Sequence, residues 1–186
     1  MRTSLMLLGL LAQGAAFAQA NQPQADLSYN FAELRFVDLD ENGGDGFQVN
    51  GLFALDNNWI IVGGLSSYEF NNNVDTSIIE IGGGYVWHYA KDWDLLTTLR
   101  FVNADTDTPG GDFDDSGIAF SAGARGLLAP KFEVRGLVNY YNIDESDVSL
   151  ELAGDYYFTR QFAAGASVEF GGDLDSFSIG ARYYFR

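Results

Sequence analysis

The feature that most constrains this chain is a two-residue period of apolar side chains that recurs along most of its length. In the run 148–158, for example, Val148 and Leu150 alternate with the polar residues Ser149 and Glu151. Successive side chains of a β-strand point to opposite faces, so this period is typical of strands with one apolar and one polar face. Ten such runs follow one another: 27–37, 47–55, 59–70, 77–89, 93–103, 116–128, 132–141, 148–158, 162–170 and 176–185. The runs 27–37 and 59–70 alternate less regularly, and the sequence leaves their facing open.

The connections between the runs are of two kinds that alternate along the chain. The short kind comprises 56–58, 90–92, 129–131 and 159–161, and the mostly longer kind comprises 38–46, 71–76, 104–115, 142–147 and 171–175. The longer connections contain 15 of the 26 acidic residues and neither lysine nor arginine, whereas the short ones contain Lys91, Lys131 and Arg160. Short turns at one end and longer loops at the other are the pattern of outer-membrane barrels.

Aromatic residues gather near the ends of the runs. Near the short connections lie Trp59, Trp87, Tyr89, Trp93, Phe132, Phe158, Phe162 and Phe185, and near the longer ones lie Phe36, Phe47, Phe70, Phe101, Phe170 and Phe177. Two aromatic girdles around an aliphatic band match the two interfaces of a membrane. An open sheet edge in hydrocarbon would leave backbone groups unpaired, so such a sheet must close. The sequence therefore predicts an all-β fold: a closed, antiparallel, up-and-down transmembrane β-barrel of ten strands, with eight strands as the alternative.

The polar face of the runs carries charge, and in a barrel it points into the lumen. We expect these residues to form a lumen charge network: Glu33, Arg35, Glu80, Arg100, Arg125, Glu133, Arg135, Glu151, Asp155, Glu169 and Arg182. Barrels of eight strands are filled by side chains and those of 16–18 strands hold aqueous channels, so ten strands lie close to the filled limit. An interior ion-pair network that holds the barrel is the favoured interpretation. A narrow solute pathway lined by the arginines is the alternative.

Composition narrows the function. The chain has no cysteine, one histidine and a formal net charge of −16, which excludes thiolate chemistry, sites with several histidines and, for want of basic blocks, a nucleic-acid partner. His88 lies beside aromatic residues near a short turn, where an interfacial role is expected rather than a catalytic one. We expect no cofactor and no enzymatic activity.

One loop resembles half of a calcium site. Asp38, Asp40 and Asn42 follow the first half of the EF-hand pattern, and Asp45 lies nearby, but the position for the bidentate glutamate is Val49, inside a strand. A solvated acidic loop that takes divalent cations loosely is the favoured interpretation.

The first twenty residues have the features of a secretory signal: Arg2, the apolar run 5–11 and two small-x-small cleavage sites. We therefore expect a signal peptide at 1–20, a barrel at 21–186, and export to the outer membrane of a Gram-negative cell.

Several motifs carry a family resemblance: Tyr29-Asn30-Phe31-Ala32-Glu33, Gly44-Asp45-Gly46-Phe47, and Asp56-Asn57-Asn58-Trp59 before Gly63-Gly64. With them the chain resembles a family of small outer-membrane barrels of xanthomonads and related proteobacteria and, more loosely, the opacity-type surface antigens. The resemblance implies outer-membrane residence and no established catalytic residues. Such chains usually end on an aromatic residue that is recognised during barrel assembly, whereas here Arg186 follows Phe185. The expected partners are outer-membrane lipid and lipopolysaccharide, and the barrel-assembly machinery through the C-terminal strand.

Taken together, these features predict a non-enzymatic outer-membrane barrel with acidic surface loops and a structural or surface-interaction role. A narrow porin and a soluble periplasmic β-sandwich binding protein are the two alternatives.

Overall fold

The computed structural model describes residues 27–39, 44–71, 73–171 and 175–185. Its strands are β1 (Phe31–Leu39), β2 (Gly44–Ala54), β3 (Trp59–Phe70), β4 (Val74–Ala90), β5 (Trp93–Thr108), β6 (Gly111–Ala129), β7 (Phe132–Asn142), β8 (Ser146–Tyr157), β9 (Phe162–Phe170) and β10 (Ser176–Tyr184). A single 3-10 turn, Asp56–Asn58, joins β2 to β3. Within these ranges, no helix is long and apolar enough to cross a membrane. The predicted signal peptide at 1–20 lies outside the described residues.

The ten strands form one closed sheet. Each strand pairs antiparallel with its neighbours in sequence, and β1 pairs antiparallel with β10, from Phe31 opposite Tyr184 to Leu39 opposite Ser176. Closure gives both edge strands a partner for their backbone N–H and C=O groups. The predicted closed antiparallel barrel of ten strands is confirmed, and the eight-stranded count and the β-sandwich are wrong.

The outer face of the barrel is apolar along the middle of the strands. Leu34 is 53% exposed, Ile79 56% and Leu152 46%. A continuous apolar exterior of this kind is unusual for a protein surrounded by water and is the surface that lipid-facing strands present.

The structure decides the facing of the two irregular runs. In β1, Leu34 points outward whereas Glu33 and Arg35 are buried inside; in β3, Ile61 points outward and Ile60 inward. The alternation was weak in these runs because part of the lumen is itself apolar, so both faces of the strand carry apolar residues.

The two ends of the barrel differ in charge. We call the end with the connections after β1, β3, β5, β7 and β9 the acidic end, and the other the basic end, where Lys91, Lys131 and Arg160 lie. Both the first residue of β1 and the last residue of β10 lie at the basic end, as an even strand number requires.

The predicted long loop at 104–115 is wrong. β5 continues to Thr108 and β6 begins at Gly111, so Pro109 and Gly110 alone form the turn of a long hairpin. The predicted loops 71–76 and 142–147 likewise shorten to 71–73 and 143–145. The asymmetry between the two ends therefore lies mainly in strand length: β4, β5 and β6 have 17, 16 and 19 residues, whereas β1 and β10 have nine.

The reason for this error is that aspartate is depleted in strands on average, so an Asp-rich segment resembles a loop. Here Thr106 and Thr108 alternate with the aspartates of β5, and a Pro-Gly turn joins two segments in register. Away from the apolar belt both faces of a strand can meet water, so polar residues can continue the pairing on either face.

Aromatic girdles are present on the outer face at both ends. At the basic end Tyr85 packs edge to face against Trp59 and Trp87, with ring centroids 5.2 and 4.8 Å away, and at the acidic end Phe36 packs against Phe47 at 5.4 Å. The predicted girdle position of Phe70 is wrong. Phe70 lies opposite Gly44 and on the inner parity of β3, where its ring fills the space that a Gly44 side chain would need.

We predict that Leu152→Arg, which places a charge on the outer face in the middle of β8, lowers the free energy of unfolding in phospholipid vesicles by about 2–4 kcal/mol. The measurement is a denaturant titration followed by tryptophan fluorescence. Asp114→Arg, on the outer face of the hairpin beyond the apolar belt, is the control and should lose little stability. Equal stability of the two variants would contradict a lipid-facing belt.

Candidate functional site

The lumen holds all eleven charged residues that the sequence placed there, but it divides them into separate groups. Six of them form one buried set, which we call the basal cluster: Glu33, Arg35, Arg125, Glu133, Asp155 and Arg182. Its three arginines balance its three carboxylates, so the charges of this buried cluster sum to zero.

Arg182 is the centre of the basal cluster. Its guanidinium lies 3.0 Å from Glu33, 2.9 Å from Glu133 and 3.2 Å from Asp155, and its side chain is fully buried. Arg125 donates two hydrogen bonds to the Glu133 carboxylate, at 2.7 and 2.8 Å. Paired donors and acceptors of this geometry compensate charges that would otherwise be costly to bury.

Two tyrosines that the sequence did not assign to the lumen complete the basal cluster. Tyr157 donates a hydrogen bond to Glu133, and its hydroxyl lies 2.8 Å from that of Tyr184. Tyr184 accepts hydrogen bonds from Arg125 and Arg182 at 3.0 and 2.9 Å. The two-residue period could have revealed them. Tyr157 and Tyr184 lie two residues after Asp155 and Arg182, so their side chains point to the same face of the strand.

The segment before β1 enters the lumen at the basic end. The Cζ atom of Arg125 lies over the face of the Tyr29 ring, 4.7 Å from the ring centroid. Arg125 also donates a hydrogen bond to the Ser28 carbonyl oxygen at 2.8 Å. The Tyr29 hydroxyl donates to Asp94 at 2.9 Å, and the other carboxylate oxygen of Asp94 lies 2.8 Å from His88 Nδ1. The two-residue period of β5 could have placed Asp94 in the lumen. Tyr29 precedes the strands, so the period gives no information about where its side chain lies.

Apolar side chains fill the lumen around this segment. One group comprises Phe31, Leu127, Tyr157, Ala163 and Tyr184, and the other comprises Tyr29, Ile60, Val62, Val86 and Leu96. All of these residues are at most 9% exposed. The apolar groups and the basal cluster therefore close the described lumen at its basic end.

The remaining predicted charges lie nearer the acidic end and are paired locally. Arg100 contacts Glu80 at 2.8 Å, and Arg135 contacts Glu151 at 2.6 Å. Glu169 accepts hydrogen bonds from Asn139, at 3.2 Å, and from Ser149. The side chains of Glu80 and Glu151 are 16% and 18% exposed, compared with 0% for Glu133, so solvent reaches this part of the lumen.

A cavity of about 170 Å³ reaches from the basal cluster into this more open part of the lumen. Every strand contributes to its wall, and Arg35, Arg100, Arg135 and Glu169 are among the lining residues. We call this cavity the cup.

The predicted cation loop is only partly described. Asp38 and Asp45 face each other in register across β1 and β2, while Asp40 and Asn42 lie outside the described residues. In the part of the chain that the structure covers, no three His, Cys, Asp or Glu side chains are arranged to hold a metal ion. Loose binding of divalent cations at this loop stays a prediction.

Five carboxylates line the outer face of the strands that extend the acidic end. Asp75, Asp107 and Asp112 lie side by side on β4, β5 and β6, and Asp105 lies opposite Asp114 in the next row on the same face. Like charges directly opposite each other on a sheet are unfavourable. The neighbouring Asp112 carboxylate is the main cause of a raised pKa at Asp107.

Comparison with known proteins supports the fold. No family model matches the sequence, and no curated protein matches it. The structure is similar to that of KdgM porin, with a TM-score of 0.51 and 9% identity over 84% of this chain and 99% of KdgM. KdgM porin in complex with disordered oligogalacturonate gives the same values. NanC porin has a TM-score of 0.50 and 11% identity over 83% of this chain and all of NanC. At these identities the likeness shows an outer-membrane barrel fold, and the xanthomonad family stays a prediction.

We predict that Arg182→Ala lowers the free energy of unfolding by about 3–5 kcal/mol, because it leaves Glu33, Glu133 and Asp155 short of a buried positive charge. Arg160→Ala, in an exposed turn at the basic end, is the matched control and should stay within about 0.5 kcal/mol of the parent chain. A denaturant titration in micelles measures both. A similar small effect for both arginines would contradict the central place of Arg182.

We predict that Asp112→Asn lowers the pKa of Asp107 towards its ordinary value, since the main charge that opposes ionisation is removed. In the parent chain the raised pKa means that ionisation of Asp107 lowers the stability of the hairpin. The hairpin therefore becomes more stable as the pH falls through the raised pKa and Asp107 is protonated. Carboxyl-detected NMR titration measures the shift. Asp144→Asn, in a different connection, is the control, and an equal effect of the two substitutions would rule out the local cause.

Proposed function

We propose that this chain is a non-enzymatic outer-membrane barrel of a Gram-negative cell that does not conduct solutes at rest and displays an acidic surface to the exterior. The observation that carries this proposal is the closed basic end of the lumen, where Glu133 and Arg182 are fully buried beneath paired charges and tyrosines. A barrel whose lumen has no continuous path for solutes fits a structural role. Partners in water can then reach this protein only at the two ends of the barrel.

The membrane location is supported by the outer face. Leu65, Ile81 and Leu99 are 55–63% exposed in the middle of the strands, between girdles that contain Trp59 and Phe101. Burying such a surface in acyl chains is favourable, whereas leaving it in water would promote association. The predicted signal peptide and the C-terminal aromatic residues are consistent with export and with assembly by the barrel machinery.

The orientation follows from the distribution of charge and strand length. We assign the acidic end to the cell surface and the basic end to the periplasm, because the hairpin of β5 and β6 extends past β7 at the acidic end, and the longer extensions of such barrels are extracellular. The hairpin of β5 and β6 then extends outward with its carboxylates beside the headgroups of the outer leaflet. Lipopolysaccharide and its divalent cations, or a cationic partner at the cell surface, fit the sign of this charge.

A narrow porin is the second candidate function, and the structural likeness to KdgM and NanC porins favours it. For this chain to conduct, the basal cluster and Tyr29 would have to move. KdgM is known in complex with oligogalacturonate, a polyanion, whereas the lumen charges of this chain are nearly balanced. A pathway for strongly acidic oligosaccharides is therefore the less favoured version.

Planar-bilayer recording tests the proposal. We predict that the refolded chain gives no reproducible stepwise conductance, because the basal cluster closes the lumen. Stepwise conductance in the parent chain would contradict the proposal and favour the porin.

Two controls show that the recorded protein is folded and integral to the membrane. Heat-modifiable gel migration identifies the folded barrel, and retention in carbonate-washed membranes identifies an integral protein. Release of the chain by carbonate would contradict the membrane location independently of the conductance.

A further inference from the structure

The cup has features that a filled structural core would not need. It extends from the basal cluster, whose Glu33, Arg35 and Arg125 form part of its wall, towards the acidic end. All ten strands contribute to its wall, and the exposure of its lining charges rises towards the acidic end. Because the basic end is closed, the cup has one accessible side. A small solute would enter and leave by the acidic end.

Four buried arginine Nε–H groups of the described residues have no protein acceptor, and three of them, on Arg35, Arg100 and Arg135, belong to residues that line the cup; the fourth is on Arg182 in the basal cluster. The terminal nitrogens of the three lining arginines have partners. Arg35 donates to Glu33, Ser167 and Ser178, Arg100 donates to Glu80 and Ser121, and Arg135 donates to Glu151. Buried donors are paired in almost all native structures, so three in one cavity indicate oxygen acceptors that the protein does not supply.

The acceptor groups of the cup can also take hydrogen bonds from a ligand. The Glu169 carboxylate is held by Ser149 and Asn139, which are neutral donors, and a carboxylate can accept about four hydrogen bonds. A ligand that both donates and accepts therefore fits better than one that only accepts. Hydroxyl groups have this property.

The charge of the cup excludes a strongly ionic ligand. Four arginines and four glutamates line it: Arg35, Arg100, Arg125, Arg135, Glu33, Glu80, Glu151 and Glu169. A carboxylate would lose its hydration without a free counter-charge, because Arg35, Arg100 and Arg135 are each paired with a glutamate. An ammonium group would have Glu169 alone to pair with, since Glu80 and Glu151 are paired with arginines. The Tyr141 ring, which lies 5.9 Å from the Arg100 guanidinium, adds an aromatic face to the wall.

The size of the cup limits the ligand further. The cavity volume of about 170 Å³ is enough for several water molecules and lies below the range of about 300–1,000 Å³ of drug-sized pockets. We propose that the cup binds a small neutral polyhydroxylated molecule, of the size of one sugar ring or less, which enters from the acidic end. The inference needs the closed basic end and does not depend on the membrane orientation.

The test is a chemical-shift titration of the full refolded chain with D-glucose, in dodecylphosphocholine micelles that contain no sugar. We expect saturable shifts at the amides of Asn139 and Ser167, which line the cup, and none at Leu152 on the outer face. D-Glucuronate should bind roughly tenfold more weakly or worse, because it adds an uncompensated negative charge, and D-glucosamine should bind no more tightly than D-glucose.

Variants separate ligand binding from water filling. Glu169→Gln and Arg100→Lys should each weaken the binding of D-glucose roughly tenfold, since the first replaces an acceptor oxygen by a donor and the second removes the guanidinium with its Nε–H group. Asp105→Asn, on the outer face of the hairpin, is the matched control and should leave it unchanged. Glu169→Gln keeps the size of the side chain, so it tests the site even if Arg100→Lys does not fold.

Three outcomes would overturn the proposal. Absence of saturable shifts with D-glucose in the folded chain would show that the cup holds water only. Tighter binding of either ionic sugar would contradict the neutral ligand. Equal weakening by Asp105→Asn would show that the shifts arise outside the lumen. None of these outcomes bears on conductance, so they leave the proposed function untouched. Stepwise conductance in planar-bilayer recording would instead remove the closed basic end on which this proposal rests.

Discussion

The pairing of β1 with β10 is the contact on which the rest of this structure depends. It provides partners for the last two sheet edges and so makes the barrel compatible with hydrocarbon, where an unpaired backbone group is costly. It also divides every strand between an exterior and a confined interior. Leu34 and Glu33, adjacent in sequence, thereby enter environments of opposite polarity. The apolar belt, the buried charges and the two ends are all consequences of that division.

Confinement explains why the interior is so strongly paired. Arg182, Arg125 and Glu133 come from β10, β6 and β7, and meet across the lumen because the closed sheet leaves no other place for them. Each charge is compensated by a charge or a hydroxyl on another strand, so the basal cluster links strands that are not neighbours in the sheet. Backbone hydrogen bonds thus join neighbouring strands around the sheet, and side-chain contacts join strands across the lumen.

The lumen is organised along its length as well as across it. Apolar side chains and Tyr29 lie at the basic end, the basal cluster follows, and separately paired charges around the cup come last. This order gives the barrel one closed and one accessible end. The same direction appears outside, where β6 continues past the end of β7 to Gly111 and where β4, β5 and β6 carry rows of aspartates.

The sequence by itself determined the strand number, the outward and inward residues of most strands and the identity of the lumen charges, because a two-residue period needs only local information. Glu151 and Arg182 were assigned to the interior in this way. Tertiary structure alone decided which charges meet, since the partner of Arg182 on β7 depends on the tilt and stagger of the closed sheet. It also decided that Tyr29 enters the lumen and that the segment containing Asp105 and Asp114 forms paired strands. The two-residue period of apolar side chains predicts neither fact.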